Sequence, residues 1–213
     1  MLKIFVGFIF ALFDFNISGF DILADFVGYI LVYLGLNEFP DILSFAKAKK
    51  FAIILLAEAL IECIASVMGF TEEMPFNIIH SALGIVFTVV WLHLMQLIIR
   101  GIEEIETNTK LNLDSAKLYS LWKKLTTLLP VTAVLSLASV LTAAASRGVL
   151  IELLELTSAA LAIAAAVIAI ITLVIDIKLL IGLNNVRKTL DNYHPEETVP
   201  ESFFNDEQQN MNE

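Results

Sequence analysis

The chain has 213 residues, of which 58% are hydrophobic, and its mean hydropathy is +0.80. This composition exceeds what the core of a soluble domain uses, and it indicates a membrane protein whose main partner is the lipid bilayer. The formal net charge is −10, but seven of the 23 acidic residues lie beyond Lys188, so the rest of the chain is nearly balanced. No basic patch is present, and we therefore expect no nucleic-acid partner.

The first 36 residues contain two apolar segments that are short for a membrane span. Residues 2–15 and 22–36 are each about 15 residues long, whereas an upright spanning helix needs about 20. They predict either a hairpin of two short, tilted spans or a re-entrant hairpin whose backbone is buried by other helices. Both alternatives return the chain to the side on which it started, so the topology of the remaining segments is the same.

The second of these segments carries a recognisable sequence. Residues 21–36, DILADFVGYILVYLGL, resemble a D-I-L-x-D-F-x-G-Y-I-L signature of uncharacterised integral membrane proteins of Gram-positive bacteria, which often have proline where this chain has Ala24. The resemblance implies a bacterial cytoplasmic membrane protein and brings no assigned activity. In physical terms, Asp21 and Asp25 lie one turn apart near a helix N-terminus, where the helix dipole favours carboxylates. The glycines of the segment leave room for a neighbouring helix.

Four later segments are long enough to cross a membrane, and they are residues 51–69, 76–99, 125–145 and 156–175. The last belongs to a longer apolar run, but Glu152 and Glu155 bound it on one side and Asp176 and Lys178 on the other. We therefore predict an all-α, polytopic transmembrane bundle over residues 1–188. It has four long spans and a short N-terminal helical hairpin, which makes six membrane segments.

The basic residues predict how this bundle is oriented. Of the 13 Lys and Arg residues, all except Arg147 fall in alternate gaps between the apolar segments. Because gaps rich in Lys and Arg stay in the cytoplasm, both termini and residues 100–124 are predicted inside, with 70–75 and 146–150 outside. Two amphipathic stretches, 40–50 and 114–124, are predicted to lie along the inner interface before the chain turns into a span.

Two glutamates inside a predicted span are the main candidates for function. An ionisable group at the centre of a span costs about 2.5–3.5 kcal/mol, and Glu58 and Glu62 share one helix face at i, i+4 spacing. On the returning helix, His93 is predicted at the depth of Glu58 and Thr88 at the depth of Glu62. These four residues could form a proton, ion or substrate site, with Glu58 contacting His93. They could equally form a polar clamp that holds two helices together.

No complete catalytic, metal-binding or nucleotide-binding motif occurs in the sequence, so we expect neither an enzyme nor a metal or cofactor. The single cysteine, Cys63, excludes an intrachain disulfide. The glutamates and the interrupted N-terminal hairpin favour a transporter-like protein or small permease subunit. The alternative is a non-catalytic accessory or assembly subunit of a membrane complex.

Two features bear on partners and on domain boundaries. Small residues at helical spacing in the last two spans predict close packing, either within the chain or in a homo-oligomer; they are Ser136, Ser139, Thr142, Ala143, Ala162, Ala165, Ala166 and Ala169. Residues 189–213 are acidic, include two prolines and lack periodicity, so they predict a disordered cytoplasmic tail.

Overall fold

A computed structural model describes residues 1–12, 22–67, 74–145 and 151–193, with side chains described for 1–12, 25–64, 83–139, 141–142 and 157–193. This part of the chain is entirely helical apart from short connections, which confirms the predicted all-α class. Its helices are α1 (Leu2–Leu12), α2 (Ile22–Leu36), α3 (Leu43–Val67), α4 (Met74–Thr109), α5 (Ser115–Ala145) and α6 (Ile151–Asp191).

The helices form a closed ring in chain order. Each helix packs against the next one along the chain, and α6 also packs against α1. The side chains that the ring buries most completely are apolar, as in Phe8 on α1, Leu36 on α2, Leu55 on α3, Met95 on α4 and Leu125 on α5. Consecutive helices are neighbours because the connections described between them are too short to allow any other arrangement.

Three helices are long and apolar enough to cross a membrane: α4, α5 and α6. On α6, exposed apolar side chains recur at Ile163, Val167, Ile170 and Val174, which forms one continuous stripe. A stripe of this kind on a helix of a water-soluble domain would normally face the core, so its exposure here fits contact with lipid. The prediction of helices long and apolar enough to cross a membrane is therefore confirmed for three of them.

The fourth predicted long span, α3, does not reach the same apolar character in its described part. It carries Lys47, Lys49 and Lys50 near its start, and Glu58 and Glu62 lie within it. A count of four long spans is thus not confirmed by composition alone. Glu58 and Glu62, which are half-buried and lower its apolar character together with the lysines, are also the candidate functional residues.

Two stretches, 40–50 and 114–124, were predicted to lie along the membrane interface and to be separated from the following spans by a turn. The structure has no such turn after either of them. Residues 43–67 form the single helix α3, and residues 115–145 form the single helix α5. The prediction of separate interfacial segments is wrong here because no glycine or proline interrupts either helix at the predicted turn, so the hydrogen-bonded backbone propagates. Helix α6 is likewise one helix, as predicted. It continues to Asp191, three residues beyond the predicted domain boundary at 188.

The predicted tail from residue 194 onward lies outside the described residues. The predicted outside gap at 146–150 and most of that at 70–75 also lie outside them.

Polar contacts join the helix ends on the side where the basic residues gather. The N-terminal amine and the Lys3 ammonium bind the Glu38 carboxylate, with N–O distances of 3.3 and 2.7 Å. The Lys3 hydrogen bond, and secondarily the amine, hold the pKa of Glu38 below its usual value. The Ser44 hydroxyl donates to Glu104, linking the start of α3 to the end of α4. These contacts fix α1, the α2–α3 connection, α3 and α4 at one level.

Glu106 organises the next connection in the same way. Its carboxylate accepts the backbone N–H of Leu113 at 3.0 Å and that of Ser115 at 3.2 Å, which satisfies free donors at the start of α5. Hydrogen bonds from the Ser115 hydroxyl and then from these backbone groups hold the pKa of Glu106 below its usual value. The α4–α5 connection is therefore a defined structure anchored on one carboxylate.

Small residues allow two close helix crossings. At the α1–α2 crossing, a Cβ added to Gly28 would lie 2.7 Å from the Gly7 carbonyl oxygen. At the α5–α6 crossing, the hydroxyls of Ser139 and Ser158 each donate to the other residue's carbonyl oxygen, at 3.2 and 3.3 Å. Part of the predicted small-residue surface thus packs within the chain. Ala162, by contrast, is exposed on α6.

Candidate functional site

A cavity of about 260 Å³ lies at the centre of the helix ring. Every one of the six helices contributes to its wall, which is the geometric consequence of α6 closing against α1. The lining residues are Ala11, Leu12, Asp25, Tyr29, Leu55, Glu58, Glu62, Gly84, Phe87, Thr88, Trp91, Leu129 and Asp176.

Four carboxyl groups from three helices line this cavity: Asp25, Glu58, Glu62 and Asp176. The first three form a group on α2 and α3, two helices that pack against each other. Glu58 and Glu62 lie one helical turn apart on the same face of α3, so their carboxyl groups are neighbours.

Asp176 lies on α6, which packs mainly against α5 and α1, whereas the other three carboxyl groups lie on α2 and α3. Its side chain is 7% exposed, and its Oδ1 atom accepts no hydrogen bond from the described part of the chain. The neighbouring polar residue on the same buried face, Thr172, satisfies itself by donating to the Ile168 carbonyl at 2.9 Å. A buried carboxylate oxygen without a partner is costly, so this atom is available to a ligand.

The cavity is placed well inside the bundle. Glu58 follows Lys50 by eight residues, and Asp176 precedes Arg187 by eleven, which puts both at about 12–16 Å from the charged end of the ring along their helix axes. The exposed Lys178 lies about 3 Å further along α6 than Asp176, so on this helix charge extends from the charged end to the level of the cavity.

The four residues singled out from the sequence separate into two groups. Glu58, Glu62 and Thr88 line the cavity together, in agreement with their predicted depths. The Thr88 hydroxyl donates to the Gly84 carbonyl at 2.7 Å, which leaves its oxygen lone pairs toward the cavity wall as acceptors.

His93 does not join them. Its side chain is exposed, and its ring packs edge-on against Phe51 with centroids 4.6 Å apart. It follows the cavity residue Trp91 by two positions, or about 200° around the helix, so it leaves α4 on the opposite side. The expected contact between Glu58 and His93 is therefore not made, because equal depth does not imply a shared face.

The sequence analysis did not assign Asp25, Tyr29 and Asp176 to the site. Asp25 was interpreted as a favourable charge near a helix N-terminus, and Asp176 as the charge that ends the last span. The periodicity of α6 could have identified Asp176 as a residue that faces the bundle. The exposed apolar stripe on this helix includes Val174, and Asp176 lies two residues later, about 200° around the helix. The pattern around α6 therefore placed Asp176 inward, although its position along the helix indicated a boundary.

No three His, Cys, Asp and Glu side chains in the described ranges come close enough to hold a metal ion. Comparison of the chain with protein families, with curated proteins and with solved structures gives no match.

Proposed function

We propose that this chain is a multi-pass protein of a bacterial cytoplasmic membrane with transporter-like activity, whose central cavity binds a cation or proton and passes it across the bilayer. The observation that supports this most is the set of four carboxyl groups lining one cavity that no described Lys, Arg or His side chain lines. Carboxyl groups at membrane depth are expensive to maintain, and a site for positive charge gives them a role.

In this proposal six segments lie in the membrane, with α3 to α6 as the long spans and α1 and α2 as the short hairpin. The two glutamates of α3 line the cavity, so they do not prevent the part of that helix after Lys50 from spanning. The basic end of the ring, where Lys50, Arg100 and Arg187 lie, faces the cytoplasm together with both termini. The contact between the N-terminal amine and Glu38 supports placing the first residue on that same side.

The proposal is tested with the full chain reconstituted into phospholipid vesicles that contain a pH-sensitive dye. We expect an imposed pH gradient or potassium diffusion potential to drive proton entry faster than in protein-free vesicles. Glu62→Gln keeps the size of the side chain and removes its titrating group, so it should abolish the flux while the protein stays monodisperse after extraction.

His93→Gln is the matched control, since this residue lies on a neighbouring helix but outside the cavity. It should retain the wild-type rate. A folded wild-type protein that moves neither protons nor labelled Na⁺ would contradict the transport proposal. Together with a membrane complex that co-purifies in fixed stoichiometry, that result would favour the accessory-subunit alternative.

A further inference from the structure

The division of negative charge within the central cavity indicates what it binds. Asp25, Glu58 and Glu62 form one group near Tyr29, on α2 and α3. Asp176 lies on α6, which packs mainly against α5 and α1, so it contributes a second acidic position from another side of the ring. One cavity thus offers two separate anionic positions, and a ligand that fills both needs positive charge at two ends.

Most of the other side chains that line the cavity are apolar, which suits the hydrocarbon part of an organic ligand. The aromatic side chains Tyr29, Phe87 and Trp91 line it together with aliphatic ones, among them Leu55 and Leu129. Faces of aromatic rings attract organic ammonium groups, and the aliphatic side chains favour contact with methylene groups. Trp91 is 9% exposed and Tyr29 7%, so both rings are held in place by packing.

We propose that the cavity binds an aliphatic diamine, with one ammonium group on Asp176 and the other among Asp25, Glu58 and Glu62. The orphaned Oδ1 of Asp176 then accepts a charge-assisted hydrogen bond, which removes the cost of burying it without a partner. The methylene chain lies against the aromatic wall. This inference rests on the proposed function for the cavity itself, and it names the class of molecule that the cavity takes.

The test measures binding, which is independent of transport. The full chain in detergent micelles is titrated calorimetrically with 1,4-diaminobutane, with 1-aminobutane, and with Na⁺ and Mg²⁺ as chlorides at constant ionic strength. We expect the diamine to bind at least about tenfold more tightly than the monoamine, because only the diamine satisfies both acidic positions. Neither inorganic cation should compete at equal concentration.

Asp176→Asn is the decisive variant, and Asp191→Asn is its control on the same helix. Asp191 is exposed and pairs only weakly with Arg187, at 3.9 Å, far from the cavity. In Asp176→Asn the preference for diamine over monoamine should collapse, whereas Asp191→Asn should keep it. A general loss of structure would weaken both ligands equally, so the ratio of the two affinities isolates the role of Asp176.

If Asp176→Asn does not fold, Glu58→Gln removes one carboxyl group of the other acidic position, and it should lower the preference for the diamine without abolishing it, because Asp25 and Glu62 remain. Equal binding of the diamine and the monoamine to the wild type would overturn the proposal, as would displacement of the diamine by Mg²⁺ at equal concentration. Proton flux without diamine binding would leave the proposed function standing and remove this inference. Diamine binding without any flux would leave this inference standing and remove the proposed transport function.

Discussion

The backbones of α1 and α2 approach each other most closely where Gly7 faces Gly28. A Cβ on Gly28 would lie 2.7 Å from the Gly7 oxygen and 2.9 Å from the backbone nitrogen of Ala11. Both neighbours are backbone atoms, which no side-chain rotation can move away. We therefore predict that Gly28→Ala forces the two helices apart.

The size of the effect follows from the shortfall in distance. Ordinary contact begins at 3.4 Å, so the added carbon is about 0.7 Å too close, and overpacking of this kind costs about 1–3 kcal/mol. Alanine is favoured over glycine within a helix by about 0.5–1 kcal/mol, which offsets part of that cost. With both values at the middle of their ranges, the expected net loss is about 1 kcal/mol of the free energy of unfolding. Because Tyr29 follows Gly28 directly, ligand binding in the cavity should weaken as well.

Gly84→Ala is the matched control, because a Cβ on that helical glycine meets nothing within 4 Å. Purified variants are heated in the same detergent, and the temperature at which half the monodisperse protein is lost is measured by size-exclusion chromatography. We expect a lower midpoint for Gly28→Ala and an unchanged or higher midpoint for Gly84→Ala. If Gly28→Ala is as stable as Gly84→Ala, the close approach of α1 and α2 is refuted.

Three further predictions concern the charged end of the ring. Trp122→Phe removes the indole N–H that donates to the Leu92 carbonyl at 2.8 Å and should cost about 1 kcal/mol in the same assay, so an unchanged midpoint would argue against that bond. Because the pKa of Glu106 is lowered in the folded protein, its ionised carboxylate contributes fully to stability above the ordinary pKa of 4.5, and this contribution is lost as the pH falls through the lowered pKa. Glu106→Gln should remove this acid-dependent loss of stability. An acid-denaturation profile identical to that of the wild type would contradict the prediction. A cysteine at Lys110 on a Cys63→Ala background should resist an impermeant thiol reagent in intact cells, and labelling there would reverse the proposed orientation.

The sequence alone was sufficient to predict the helices and the end of the bundle at which charge collects. Apolar runs of span length predict helices because a backbone in lipid must satisfy its own hydrogen bonds. The i, i+4 spacing of Glu58 and Glu62 placed both on one face, and the structure brings both to one cavity. These are local properties, since they depend on residues within a few turns of one another.

Only the tertiary structure decided which faces meet. The closure of α6 against α1 brings Asp176 into the same cavity as Asp25, about 150 positions earlier in the chain. His93, at the expected depth, was excluded because the packing of α4 turns Trp91 and Thr88 inward and His93 away. Periodicity along one helix states which residues share a face, but the neighbour of that face is set by packing between distant segments, which no local pattern encodes.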